Sequence, residues 1–149
     1  MRKAIYGLVA LLAVVAVVSA SASPSTPSRS TVTKKLTAFL TVNQAIPAPK
    51  GASGSGTFRA TVTGSTIKWR MTFKGMTGPV GAAHIHSALA GRANPTPAVS
   101  LCGPCKSGQT GTATATAAVL KKILGGATYV NLHTTKNPGG EIRGQIASS

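Results

Sequence analysis

The sequence predicts an all-β domain, a Greek-key sandwich or barrel of about eight short strands with one short helix. Three observations point there. Short runs rich in Thr, Val, Ile and aromatic residues alternate in polarity; clusters of Gly, Pro, Ser and Asn separate them; and a single stretch has helical spacing. Alternating βαβ units would need a helix after nearly every strand, and the chain has no residues for them.

The chain opens with Arg2 and Lys3, an apolar run from Ala4 to Val18 and small residues from Ser19 to Ser23. This is the layout of a signal peptide, residues 1–22, with Ala20-Ser21-Ala22 as the small-x-small cleavage site. The run is shorter than the ~20 apolar residues a spanning helix needs. A secreted, extracellular protein with no transmembrane segment after signal removal is expected. Residues 23–33 are Ser, Thr and Pro with a single cation, Arg29, and read as a flexible tether, too poor in apolar side chains to offset the entropy of ordering. Residues 34–149 have the length of one domain.

Within that domain Lys35 to Val42 is a loosely alternating first strand, ended by Pro47, Pro49 and the glycines from Gly51 to Gly56. Thr57 to Thr63 and Ile67 to Phe73 form a hairpin about Gly64-Ser65-Thr66. Ile67, Trp69, Met71 and Phe73 share its core face, and Lys68, Arg70 and Lys74 the other. Ala82 to His86 and Ala98 to Leu101 are short strands on either side of a Gly/Pro loop, and Thr110 to Thr116 is another. Ala117 to Leu124 is the helix, with Val119, Leu120, Ile123 and Leu124 inward, Lys121 and Lys122 outward, and Gly125-Gly126 as its stop. Thr128 to Thr134 and Glu141 to Ile146 close the chain around the turn Asn137-Pro138-Gly139-Gly140.

The formal net charge is +15, and Glu141 is the only acidic side chain. That excludes much chemistry. Two-carboxylate glycoside hydrolysis, an acid-rich Ca²⁺ or Mg²⁺ site and a Ser-His-Asp triad cannot be assembled. The charge suits anionic cell-envelope or extracellular polymers as partners. Specific nucleic-acid recognition is not expected, because the cations are scattered and aromatics too few for a stacking platform.

Cys102-Gly103-Pro104-Cys105 carries the letters of a dithiol redox motif but not its context, a strand leading into a helix whose N-terminus lowers the first thiol's pKa. In an exported chain with no other cysteine the pair is expected as a loop disulfide. The histidines are the sharper feature. His84-Ile85-His86 places two imidazoles on one strand face, and His133 shares a face with Tyr129 and Asn131. If those strands are neighbours, three imidazoles converge, and three neutral His with an open fourth position suit Zn²⁺ or Cu²⁺. The alternative is a set of hydrogen-bonded polar side chains at a sheet end. Glu141, Arg143 and Gln145 read as a solvated strand face on which Glu141 and Arg143 can pair, unless the histidines lie alongside.

Taken together, Ala83-His84-Ile85-His86, the run Gly125 to Thr134 (GGATYVNLHT) and the run Asn137 to Ile146 (NPGGEIRGQI) resemble the CHRD domain, first described in chordin and found in bacterial secreted proteins. The resemblance covers about Lys35 to Ala147. It implies an immunoglobulin-like β-sandwich, an extracellular location and no established enzymatic activity. The matching motif positions are His84, His86, His133, Pro138, Gly140, Glu141, Arg143 and Gly144. Chordin sequesters bone morphogenetic proteins, a role that does not carry over to a single tethered domain. Cu/Zn superoxide dismutases also carry a His-x-His on a β-sandwich, but this chain lacks their fourth His and zinc-ligand Asp. The leading expectation is a non-enzymatic binding or structural module with a basic surface; the alternative is a Cu or Zn protein using the three histidines, with redox chemistry open to it.

Overall fold

Side chains that alternate at period two build a sheet with one dry face, and the computed structural model, which describes residues 32–149, shows how that sheet is closed. The segments expected as a signal peptide, 1–22, and nearly all of that expected as a tether, 23–33, lie outside the described residues. Strands β1 (Thr33–Thr41), β2 (Ser55–Thr63) and β3 (Thr66–Lys74) form an antiparallel meander in unbroken register, from Thr33 opposite Thr63 to Ser55 opposite Lys74. In β3 Ile67, Trp69 and Met71 are buried while Lys68 and Arg70 are exposed, the alternation expected of the sequence.

The chain continues through β4 (Val80–His86), β5 (Pro97–Cys102), β6 (Thr110–Thr114), helix α1 (Ala117–Leu124), β7 (Tyr129–Thr134), β8 (Ile142–Gln145) and β9 (Ala147–Ser148). Among the described residues nine strands join one antiparallel sheet in the order β5-β4-β7-β8-β1-β2-β3-β6, with β9 pairing β1. The all-β architecture with one short helix is the expected one. What differs is closure: the halves β5-β4-β7-β8 and β1-β2-β3-β6 are joined through β1, which pairs β8 at Thr41–Arg143 and β9 at Leu36 and Thr37. The outer strands β5 and β6 also touch, so the sheet is nearly a barrel.

Between the halves, Phe58, Ile67, Met71, Ile85, Val130, Leu132 and Ile142 form one core with no exposure. Each such side chain contributes roughly 1.5–3 kcal/mol of burial. Helix α1 plugs one end. The Thr116 hydroxyl accepts from Val119 N–H as its cap, Lys121 and Lys122 sit in the last turn, and Ile123 is fully buried. Leu124, expected inward, is 39% exposed, because one residue turns the chain about 100° past Ile123 and off the buried stripe.

Candidate metal centre

Strand β7 lies between β4 and β8, with Asn131 opposite His84 on one side and Arg143 on the other. Its core face carries Val130 and Leu132. Its outer face carries Tyr129, Asn131 and His133, and β4 contributes His84 and His86 beside them. An outer face normally meets water, yet Tyr129 and Asn131 are buried here. The connection between β4 and β5, residues 87–96, folds back as a roof: the Tyr129 hydroxyl donates to Asn94 O and accepts from Asn94 N–H, and Asn94 Nδ2 donates to Ser87 O.

Under that roof the three imidazoles converge. Each offers one nitrogen, and these lie within 4.8 Å of one another. His84 Nδ1 and His133 Nε2 are 3.3 Å apart, close to the separation of about 3.3–3.4 Å between two nitrogens each about 2.0–2.1 Å from one tetrahedral Zn²⁺. His133 donates its Nδ1 proton to Pro138 O at 2.9 Å, which leaves Nε2 as the lone pair. His86 stacks on Tyr129 with ring centroids 5.1 Å apart, and neither of its ring nitrogens has a hydrogen-bond partner. Burial, and after it the neighbouring His133, lower the pKa of His84 below the ordinary histidine value. Burial lowers that of His86 too, followed by His133 and His84, with the backbone of Asn94 and Thr96 opposing. Both shifts favour the neutral imidazole, the form that binds metal.

The turn motif after β7 builds the wall of this site. Gly140 has φ +120°, and a Cβ there would stand 2.2 Å from Asn131 Nδ2, so the turn closes on the Asn131 side chain. Asn131 Nδ2 in return donates to Gly139 O at 3.1 Å. At Gly144 a Cβ would meet Phe39 O at 2.5 Å, so this glycine admits β1 against β8.

Glu141 and Arg143 depart from the surface pair that the sequence suggested. Glu141 precedes β8, is fully buried, and accepts from Thr77 N–H, Thr77 Oγ1, Thr134 Oγ1 and Asn137 Nδ2. Burial works against its charge, but these donors outweigh it and hold the carboxyl below its ordinary pKa. Arg143, 3% exposed, lays its guanidinium 3.5 Å from the Tyr129 ring centre and donates Nη2 to Leu89 O and Gln145 Oε1. The donors of one residue and the stacking of the other leave no ion pair between them.

Cys102 and Cys105 form the expected disulfide. It lies at the end of edge strand β5, where Cys105 bridges Val80, and not at a helix start. Alternation alone puts Tyr129 and Asn131 on the histidine face without giving them a role, and no spacing in the sequence gives one to Asn94, Thr77 or Thr134. Among the described residues no helix is long and apolar enough to cross a membrane. The CHRD domain family model matches residues 36–146. No curated protein and no solved structure matches the chain.

Proposed function

The chain belongs to the CHRD domain family, and from that premise we propose that it is an exported metal-binding module that holds Zn²⁺ or Cu²⁺ on His84, His86 and His133. One observation carries the reading: His86 is buried with both ring nitrogens unpartnered, beside two imidazoles within ligand range. A buried unpaired polar group costs roughly 1–3 kcal/mol, and a metal bond removes that cost at one of the two nitrogens. The disulfide supports an oxidising compartment outside the cytoplasm. An ion held by three protein ligands would keep a position for a further ligand, and a cavity of about 420 Å³ is bordered by His84, His86, His133, Pro95 and Pro138.

The chain's only acidic side chain is fully committed to Thr77, Thr134 and Asn137. It therefore offers no carboxylate to take a proton from a metal-bound water, which favours binding over hydrolysis. The test is metal analysis and calorimetry with Zn²⁺ and Cu²⁺ on the purified protein and on His84→Ala and His86→Ala. One equivalent in the parent and at least tenfold weaker binding in the variants is expected; equal metal in all three overturns the reading.

A second reading, attachment to anionic envelope or extracellular polymers, has its own support. Lys35, Arg59, Lys68 and Arg70 are all exposed on the outer face of β1, β2 and β3, with Arg59 directly opposite Arg70. Like charges directly opposite repel, and a polyanion laid across the sheet relieves that. Co-sedimentation with purified cell wall and with anionic liposomes should fall steeply between low and high salt; retention without salt dependence counts against it.

A further inference from the structure

Arg143 has more donors than the fold uses. Its guanidinium is held from below by the Tyr129 ring and from one side by Leu89 O and the Gln145 side chain, while Nη1 is buried without a partner. No carboxylate balances it, because the only acidic side chain, Glu141, is taken by Thr77, Thr134 and Asn137. Directly across the ladder from Arg143 is Asn131, whose Nδ2 is used by Gly139 and whose Oδ1 is buried and unpartnered. A cationic donor and a neutral acceptor, both orphaned, therefore sit side by side on one sheet face. Both line a cavity of about 270 Å³, together with Asn94, Tyr129, His86 and His133.

We propose that this cavity binds a small carboxylate carrying a neighbouring hydroxyl, its carboxylate on Arg143 and its hydroxyl donating to Asn131 Oδ1. The chemistry follows from the two unmet groups. A guanidinium with a free N–H is matched by a carboxylate oxygen, and a buried amide oxygen is matched only by a donor. A simple anion satisfies the first and leaves the second bare. The volume lies just under the roughly 300 Å³ at which ordinary ligand pockets begin, so it suits a small molecule. Tyr129 sets the guanidinium plane, and its hydroxyl, clamped by Asn94, ties the roof over the cavity. The cavity shares His86 and His133 with the metal centre, but the inference rests on Arg143 and Asn131 and stands apart from whether metal binds.

The test uses metal-free protein, titrated with glycolate, acetate and chloride while the side-chain NMR signals of Arg143 and Asn131 are followed. Glycolate should shift both signals saturably and bind about tenfold more tightly than acetate, the difference made by one hydrogen bond to a buried acceptor. Chloride should leave the Asn131 signal in place. Arg143→Gln should bind glycolate at least tenfold more weakly. An absence of saturable shifts in the parent overturns the proposal without reference to any variant's fold. Glycolate binding seen only with metal present, and unchanged in Arg143→Gln, overturns it too and assigns the ligand to the metal alone.

Discussion

Pro138 O accepts a 2.9 Å hydrogen bond from His133 Nδ1. A carbonyl oxygen only accepts, so the proton is on Nδ1 and the Nε2 lone pair faces His84. The turn after β7 thus decides which atom of His133 is available for metal, the part that outer partners commonly play at histidine sites. That turn is positioned by Gly140, whose missing Cβ lets Asn131 close on it. Gly140→Ala should push the turn and the Pro138 carbonyl away, weakening Zn²⁺ or Cu²⁺ binding by about 10–100-fold. Its left-handed φ also predicts a loss of at least about 1 kcal/mol of stability. Calorimetric titration and a urea melt on the same variant check both numbers.

Glu141 predicts a pH dependence whose sign is fixed by its depressed pKa. The folded state holds the carboxylate more tightly ionised than the unfolded chain does, so the stabilisation is complete above the unfolded value of about 4.3 and is lost as pH falls through the folded value. Glu141→Gln keeps the shape but must oppose its amide donor to either Thr77 N–H or Asn137 Nδ2. Urea melts should show the variant about 3 kcal/mol less stable at pH 7, with the gap closing toward pH 2. A gap that stays constant over that range would place the stabilisation elsewhere.

Glu141 and Arg143 also mark how far the sequence could be read. Period-two alternation is local, so the core face of β3, the shared face of His84 and His86 and the shared face of Tyr129, Asn131 and His133 were all legible, as was the helix from Ala117 to Leu124. The roof formed by residues 87–96 was not, because a loop has no period, and without it the outer face of β7 reads as solvated. Glu141 looked like a surface partner for Arg143 for the same reason. Its donors at Thr77 and Thr134 arrive through tertiary closure, 64 and 7 residues away, which no spacing announces. The halves join where β1 pairs β8 at Thr41 with Arg143 and β9 at Leu36 and Thr37, and these pairings are equally silent in the sequence.

One hydroxyl makes two of the bonds that hold the roof, beside those of Arg143 to Leu89 O and of Gln145 Nε2 to Ala88 O. Tyr129→Phe keeps the ring under Arg143 and beside His86 but removes both bonds to Asn94. A loss of about 1–3 kcal/mol is expected for the backbone groups left unpaired. Amides of residues 87–96 should exchange with solvent measurably faster while those of β7 do not. Protection that falls equally across the whole domain would mean that Tyr129 supports the core and not the roof.

His86 offers the sharpest separation of stability from function. Its imidazole is 2% exposed and stacked on Tyr129, and neither ring nitrogen has a hydrogen-bond partner, although the backbone of Asn94 and Thr96 lies close enough to oppose the fall in its pKa. A residue kept only for packing would not be a buried polar ring with both nitrogens bare, since an apolar side chain of similar size avoids that desolvation. His86→Leu should therefore raise the stability of the metal-free protein by about 1 kcal/mol, while abolishing the stabilisation that Zn²⁺ or Cu²⁺ gives the parent. Thermal melts of both proteins, with metal and with chelator, give four curves whose order tests this. The parent should lie below the variant in chelator and above it in metal; a variant less stable than the parent under both conditions would identify His86 as a packing residue and remove the main support for the metal centre.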